Sequence, residues 1–161
     1  MKTNNNIIEK LYIDWNKVDE YSYLRNIPAI SKITELEFKN NITFFVGENG
    51  SGKSTLLEAI AIAYGFNPEG GTINYNFSTY EDTSDLYKAI KLSKGLNKYK
   101  FGYFFRAESF FNVATKSIDY KDPNFYHGKS HGESFLQFFQ NYNKAGIYIL
   151  DEPEAALSPL R

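Results

Sequence analysis

Apolar residues along this chain fall into short blocks, and the blocks carry two different periods. Thr34, Leu36 and Phe38 alternate with Glu35, Glu37 and Lys39, the period of a half-exposed strand. Asn40-Asn41 then turns the chain into Ile42-Thr43-Phe44-Phe45-Val46, a nearly continuous apolar run of the kind found in strands buried on both faces. Residues Ser54 to Tyr64 read as a helix, closed by Gly65. Ile7 to Trp15 is a shorter apolar segment, predicted as a strand or an edge element. Asn67 to Gly71 is a loop, after which Ile73, Tyr75 and Phe77 alternate again. Ser84 to Leu92 predicts a helix with Leu86, Ala89 and Ile90 on one face, broken over Ser93 to Asn97. Lys100 to Phe105 reads as a strand, Ser109 to Ile118 as a helix, and Asp119 to Lys129 as a polar loop. Gly146 to Leu150 is a last short buried strand. Strands and helices interleave, so the expected class is α/β.

One junction carries chemistry. Between the Ile42–Val46 run and the helix from Ser54 stands Gly47-Glu48-Asn49-Gly50-Ser51-Gly52-Lys53-Ser54-Thr55, which fits G-x-x-x-x-G-K-[ST]. Glycines let the backbone curl so that several N–H groups point at phosphate oxygens. Lys53 adds a mobile positive charge near the β- and γ-phosphates, and the Ser54 hydroxyl can take a place on Mg²⁺. The helix that follows would start at the anion, with its positive dipole end facing it. Gly47, Asn49, Gly50, Ser51, Gly52, Lys53, Ser54 and Thr55 are therefore the expected nucleotide-binding residues. A Gly-rich turn alone would be unremarked; strand, loop and helix in this order are the setting that a phosphate loop requires.

A second site lies at the end of the Gly146–Leu150 run, which leads into Asp151-Glu152-Pro153. In a nucleotide-hydrolysing site the first carboxylate of such a pair holds Mg²⁺ through water, and the second orients and deprotonates the attacking water. Asp151 is the candidate metal residue, together with Ser54, and Glu152 the candidate general base. A solvated acidic turn is the plainer alternative; the phosphate loop upstream weighs against it.

Lys129-Ser130-His131-Gly132-Glu133-Ser134 stands before a segment that can start a helix, with Ser130 lying 21 residues before the acidic pair. Ser130 as cap, a flexible Gly132 and free N–H groups make a second anion site. Here the chain resembles the ABC-class ATPases, whose signature reads L-S-G-G-Q. Ser130 and Gly132 match it, while Lys129, His131 and Glu133 depart from its Leu, first Gly and Gln. The S-H-G-E-S form is similar to the soluble branch of predicted ATPases near the SMC and RecF heads. Asp151-Glu152-Pro153-Glu154-Ala155-Ala156-Leu157-Ser158 likewise resembles the family's D-E-P-T-S-A-L-D, whose last part is the D-loop, with Ser158 in place of the final Asp. The family has a Gln after a strand between these motifs. Arg106-Ala107-Glu108 follows the Lys100–Phe105 strand, which makes Glu108 the candidate for that position and a third metal-facing residue; an exposed loop acid is the alternative.

The resemblance implies more than the motifs themselves show. It implies ATP and Mg²⁺ as cofactors and a homodimer on ATP binding, with Ser130, Gly132 and Glu133 acting in trans on the partner's nucleotide. It implies a P-loop NTPase head with a mainly parallel core sheet, an antiparallel N-terminal strand element and a small helical subdomain. Within a single domain over 1–161, the strands and phosphate loop would fill about 1–65, the helical and signature region 66–145, and the acidic-pair strand and D-loop 146–161. SMC-type heads insert a coiled coil between the phosphate loop and the signature; the 77 residues from Lys53 to Ser130 hold no heptad run. In the family another strand and a His follow the D-loop. The chain stops at Arg161, so a fragment of a longer ATPase, or a strand supplied by another chain, is expected.

Composition narrows the picture. The chain has no cysteine and two histidines, His127 and His131, so neither a disulfide framework nor a zinc site is expected. A net charge of −1 gives no global pull towards nucleic acid or anionic membrane. Lys88, Lys91, Lys94, Lys98 and Lys100 could form a local basic patch, or simply a solvated face. No apolar run reaches the roughly 18 residues of a membrane span, and the N-terminus lacks a signal-peptide core, so the expected location is the cytoplasm. Tyr23 or Arg25 could stack on an adenine, or pack at the sheet edge. Three functions follow: an ATPase of the DNA-maintenance or defence type, with an unidentified nucleic-acid or protein partner; the nucleotide-binding subunit of a transporter; and a non-hydrolysing nucleotide-binding fragment.

Overall fold

The structure is a computed structural model, which describes residues 6–73, 83–96, 99–107 and 144–156. In chain order it has β1 (Ile8–Ile13), α1 (Pro28–Ser31), β2 (Glu35–Glu37), α2 (Lys53–Tyr64), β3 (Gly71–Thr72), α3 (Leu86–Ala89), β4 (Ile90–Lys94), β5 (Gly102–Arg106) and β6 (Ile147–Asp151). Single 3-10 turns lie at Trp15–Lys17, Tyr23–Asn26 and Pro153–Ala156.

The strands form two sheets of three. The first has the order β2-β1-β4 and is antiparallel throughout, as the N-terminal strand element was expected to be. Its centre is β1, so of the two readings of Ile7–Trp15 the strand holds and the edge element does not. Leu11 pairs with Leu36 on one side and Leu92 on the other, and Ile13 pairs with Ile90. Leu11 and Ile13 are buried while Tyr12 between them is exposed. The alternation therefore places one face on the core.

The Ser84–Leu92 stretch is helical only over Leu86–Ala89, and Ile90 already belongs to β4. Leu86 and Ala89 fill the helical turn and are buried; Ile90 and Leu92 continue with period two against β1. One string of apolar residues satisfies both periods, and pairing with β1 decides where the helix ends.

The second sheet has the order β3-β5-β6, antiparallel between β3 and β5 and parallel between β5 and β6. Neighbouring residues on a strand point to opposite faces. Phe104 and Phe105 are both fully buried, so β5 is covered on both sides. α2 packs against α3, β4 and β6, and so lies on both sheets. Its Leu56, Ala59 and Ile60 join Leu11, Leu24, Ile30, Leu86 and Phe104 in the core. Each full burial of a Leu, Ile or Phe stabilises the fold by about 1.5–3 kcal/mol.

Two expectations about the sheet change. Ile42–Val46 was expected as a buried strand, but it forms no ladder among the described residues. Phe45 packs on the core, whereas Ile42, Phe44 and Val46 are 71%, 82% and 89% exposed. Apolar content alone does not make a strand; a neighbouring backbone must supply the hydrogen bonds. A mainly parallel core sheet was also expected, and among the described residues β5–β6 is the one parallel pairing. Most of the helical and signature region lies outside the described residues.

Candidate functional site

The phosphate-loop segment leads directly into α2. Gly50 and Gly52 have φ of +78° and +93°, a left-handed backbone that suits glycine. Ser51 N–H donates to Glu48 O at 3.2 Å and closes the turn. Gly52 is the N-cap of α2 and has no side chain to bond the first-turn N–H groups. A Ser or Asp cap would occupy those donors; here the N-terminus of a 12-residue helix has no side-chain cap, the arrangement in which helix N-termini attract anions. The first turn carries no acidic residue that would repel one. Lys53 Nζ donates to Gly47 O and Glu48 O, both at 2.9 Å, so the amino group lies over the loop itself. Gly47 to Gly50 are exposed and Ser51 to Thr55 half-buried, an accessible loop on a partly enclosed floor.

Asp151 is the last residue of β6, and it is buried at 7% exposure. Since α2 packs against β6, the phosphate loop's helix and the strand carrying Asp151 belong to one packed unit. Across the parallel ladder Asp151 pairs with Arg106, and Ala107 N–H donates to Asp151 O at 3.3 Å. Glu152 follows, exposed, with a φ of +49°. Among the described residues it is the single non-glycine with positive φ. That backbone turn separates the two acids: Asp151 goes inward and Glu152 outward. A conformation of this kind costs on the order of 1–3 kcal/mol and persists only where its surroundings hold it. Ala155 N–H donates to Glu152 O at 3.0 Å in the turn that follows.

Sequence reasoning gave no role to two further residues. Glu58 on α2 is buried at 7% exposure. Its Oε2 accepts from Arg106 Nη1 at 2.8 Å, and its Oε1 from Ser84 N–H at 3.2 Å. Arg106 Nη1 also donates to Pro68 O at 3.1 Å, and its Nε lies 4.0 Å from Asp151 Oδ2. The signal was present in the sequence: a lone acid within the apolar run Leu56 to Ala63, and a lone cation ending an apolar strand.

Other candidates fall elsewhere. Glu108, Ser130, Gly132 and Glu133 lie outside the described residues. Arg25 donates to three backbone carbonyls, those of Trp15, Val18 and Asp19, and sits 5.6 Å from the Trp15 ring centroid. Its guanidinium is committed to binding two turns together, which favours packing over adenine stacking; Tyr23 is exposed. Within the lysine group, Lys88 pairs with Asp85 and Lys94 donates to Tyr64 O, so neither stands as an unpartnered cation.

The donors fit magnesium. Ser54 and Asp151 offer oxygen only, the ligand a hard cation prefers. Among the described residues no group of three His, Cys, Asp or Glu could form an all-protein cage. One carboxylate and one hydroxyl suit an ion that keeps its waters and arrives with substrate phosphates.

Comparison with known proteins supports a P-loop ATPase domain of the ABC and SMC–RecF type. The chain belongs to the AAA domain family, whose model matches residues 23–145. It is similar to a phosphate import ATP-binding protein, PstB 2, of Streptococcus thermophilus (strain CNRZ 1066), at 39% identity over 75 residues, 42% of this chain and 30% of that protein. It is also similar to the DNA replication and repair protein RecF of Francisella tularensis subsp. novicida (strain U112), at 58% identity over 36 residues, 22% of this chain and 9% of that protein. The chain thus spans less than a third of the length of these curated relatives. No solved structure matches it. Among the described residues, no helix is long and apolar enough to cross a membrane.

Proposed function

We propose that this domain binds ATP with Mg²⁺ and hydrolyses its β–γ bond. The observation that carries the proposal is the uncapped N-terminus of α2, opened by the Gly50–Gly52 turn, on a helix that packs against the strand ending in Asp151. Backbone N–H groups of residues 47–55 would hold the phosphates. Lys53 would exchange its two loop carbonyls for phosphate oxygens, and so stabilise the loop both empty and loaded. Ser54 and Asp151 would hold Mg²⁺, which would supply charge neutralisation at the phosphates. Glu152 would take a proton from water as the water oxygen attacks the γ-phosphorus. The bond to the β–γ bridging oxygen then breaks, leaving ADP and phosphate. An exposed Glu152 suits a site completed by a second head, with Ser130, Gly132 and Glu133 of each subunit facing the other's nucleotide. ATP would then join two heads, and hydrolysis would release them.

The favoured setting is DNA maintenance or defence, which rests on the S-H-G-E-S signature and the likeness to RecF. A transporter's nucleotide-binding subunit is the second reading, favoured by the likeness to PstB 2 over the longer stretch. The test of the chemistry is Glu152→Gln, which keeps shape and hydrogen bonding but removes the base. Turnover should fall about 10²–10⁴-fold with ATP affinity retained. Turnover equal to wild type would remove Glu152 from the mechanism.

A further inference from the structure

We propose that Arg106 is a positioning residue for the metal-facing end of this site, holding Asp151 in register with Ser54. The inference rests on the ATPase reading above, and it adds a residue which that reading does not use.

The geometry is a relay across two layers. Arg106 closes β5 and stands beside Asp151 in the parallel ladder. From there Nη1 reaches Glu58 Oε2 at 2.8 Å and Pro68 O at 3.1 Å, while Nε faces Asp151 Oδ2 at 4.0 Å. The last is a charge contact, longer than a hydrogen bond. Glu58 lies four residues after Ser54, so both are on one face of α2. The helix face that presents Ser54 is thereby tied, through Glu58 and Arg106, to the strand tip that presents Asp151. Ala107 N–H, donating to Asp151 O, fixes the backbone of the same tip.

Charge supplies the second reason. Glu58 and Asp151 are both buried, each at 7% exposure, and they flank one guanidinium. Two carboxylates facing each other without it would repel, and Asp151 would turn away from the helix. A planar guanidinium can address a carboxylate, a carbonyl and a second carboxylate at once, whereas an ammonium is a compact point charge without that fork. Arg106→Lys therefore keeps the charge and loses the geometry. It separates positioning from simple neutralisation.

The experiment measures the gain in ATP affinity that Mg²⁺ confers, by calorimetric titration of ATP in EDTA and again in excess Mg²⁺. That ratio is a coupling between metal and nucleotide, read without turnover. In Arg106→Lys the metal-free affinity should stay within about twofold of wild type, and the Mg²⁺-conferred gain should shrink by about tenfold. Glu58→Gln cuts the relay on the helix side, spares the cation, and should reduce the gain in the same direction. Each variant's melting temperature, taken alongside, checks that it is folded. An unchanged gain in either folded variant would overturn the inference. Loss of metal-free affinity in step with the gain would make Arg106 a general structural residue, and would overturn it too. A wild-type protein that binds no ATP at all would instead overturn the site reading on which the inference rests.

Discussion

Replacing Gly52 by alanine probes the join between phosphate loop and core. The residue has a φ of +93°, and a Cβ there would stand 2.7 Å from Ile30 Cδ1 and 2.8 Å from Ile27 Cγ2. Ile30 is fully buried, so it has little room to withdraw. Gly50 provides the control: its φ is +78°, yet a Cβ there meets nothing within 4 Å. Left-handed backbone costs an L-residue about 1–2 kcal/mol, and both variants carry that cost. Overpacking adds about 1–3 kcal/mol, and Gly52→Ala alone carries it. At about 2–4 °C per kcal/mol for a domain of this size, Gly52→Ala should melt about 2–12 °C below Gly50→Ala. Thermal unfolding followed by circular dichroism, with ATP affinity measured on the same samples, makes the comparison. Equal melting temperatures would refute the claim that Gly52 is where the loop seats against Ile27 and Ile30.

Two further predictions concern the dimer and the pH limit of stability. Ser130→Arg, in a Glu152→Gln background, should abolish ATP-driven dimerisation in light scattering while single-subunit ATP binding persists; equal dimer formation with and without the change would return Ser130 to a plain helix cap. Burial raises the pKa of Tyr64, and ion pairing to Glu35 and Asp85 raises those of Lys10 and Lys88. Each of these groups holds its proton more tightly when folded, so their contributions are complete below a pH of about 10 and lost as pH rises through the folded values. Melting temperature should fall above that pH, and Tyr64→Phe should make the fall shallower; an unchanged slope would show that Tyr64 does not contribute.

The parts of this molecule that sequence makes plain are those set by local rules. α2 ends at Gly65, where φ is +122° and the N–H donates to Ala61 O and Ile62 O, as a glycine after an apolar helix implies. β5 and β6 carry the apolar runs that a covered strand needs. What sequence could not give was pairing. Ile42–Val46 has the composition of a core strand and stands largely exposed, because a ladder depends on a neighbour that composition does not name. Ile90 fitted a helix face until β1 claimed it, together with Leu92, in period two. Glu58 and Arg106 stood out only as single charges in apolar runs; their partnership spans 48 positions of the chain and becomes visible once α2 lies beside the end of β5. At the acidic pair, sequence placed both carboxylates at a strand tip, but their opposite directions follow from the positive φ at Glu152.

The central claim is that the loop at the start of α2 binds the phosphates of ATP through Lys53 and its neighbouring backbone. Calorimetric titration of wild type and Lys53→Ala with ATP and Mg²⁺ tests it most directly. A charge-assisted contact is worth about 1.5–3 kcal/mol, so Lys53→Ala should bind ATP at least about tenfold more weakly, with its melting temperature little changed because Lys53 Nζ bonds only exposed loop carbonyls among the described residues. An affinity equal to wild type in a folded Lys53→Ala protein would contradict the assignment.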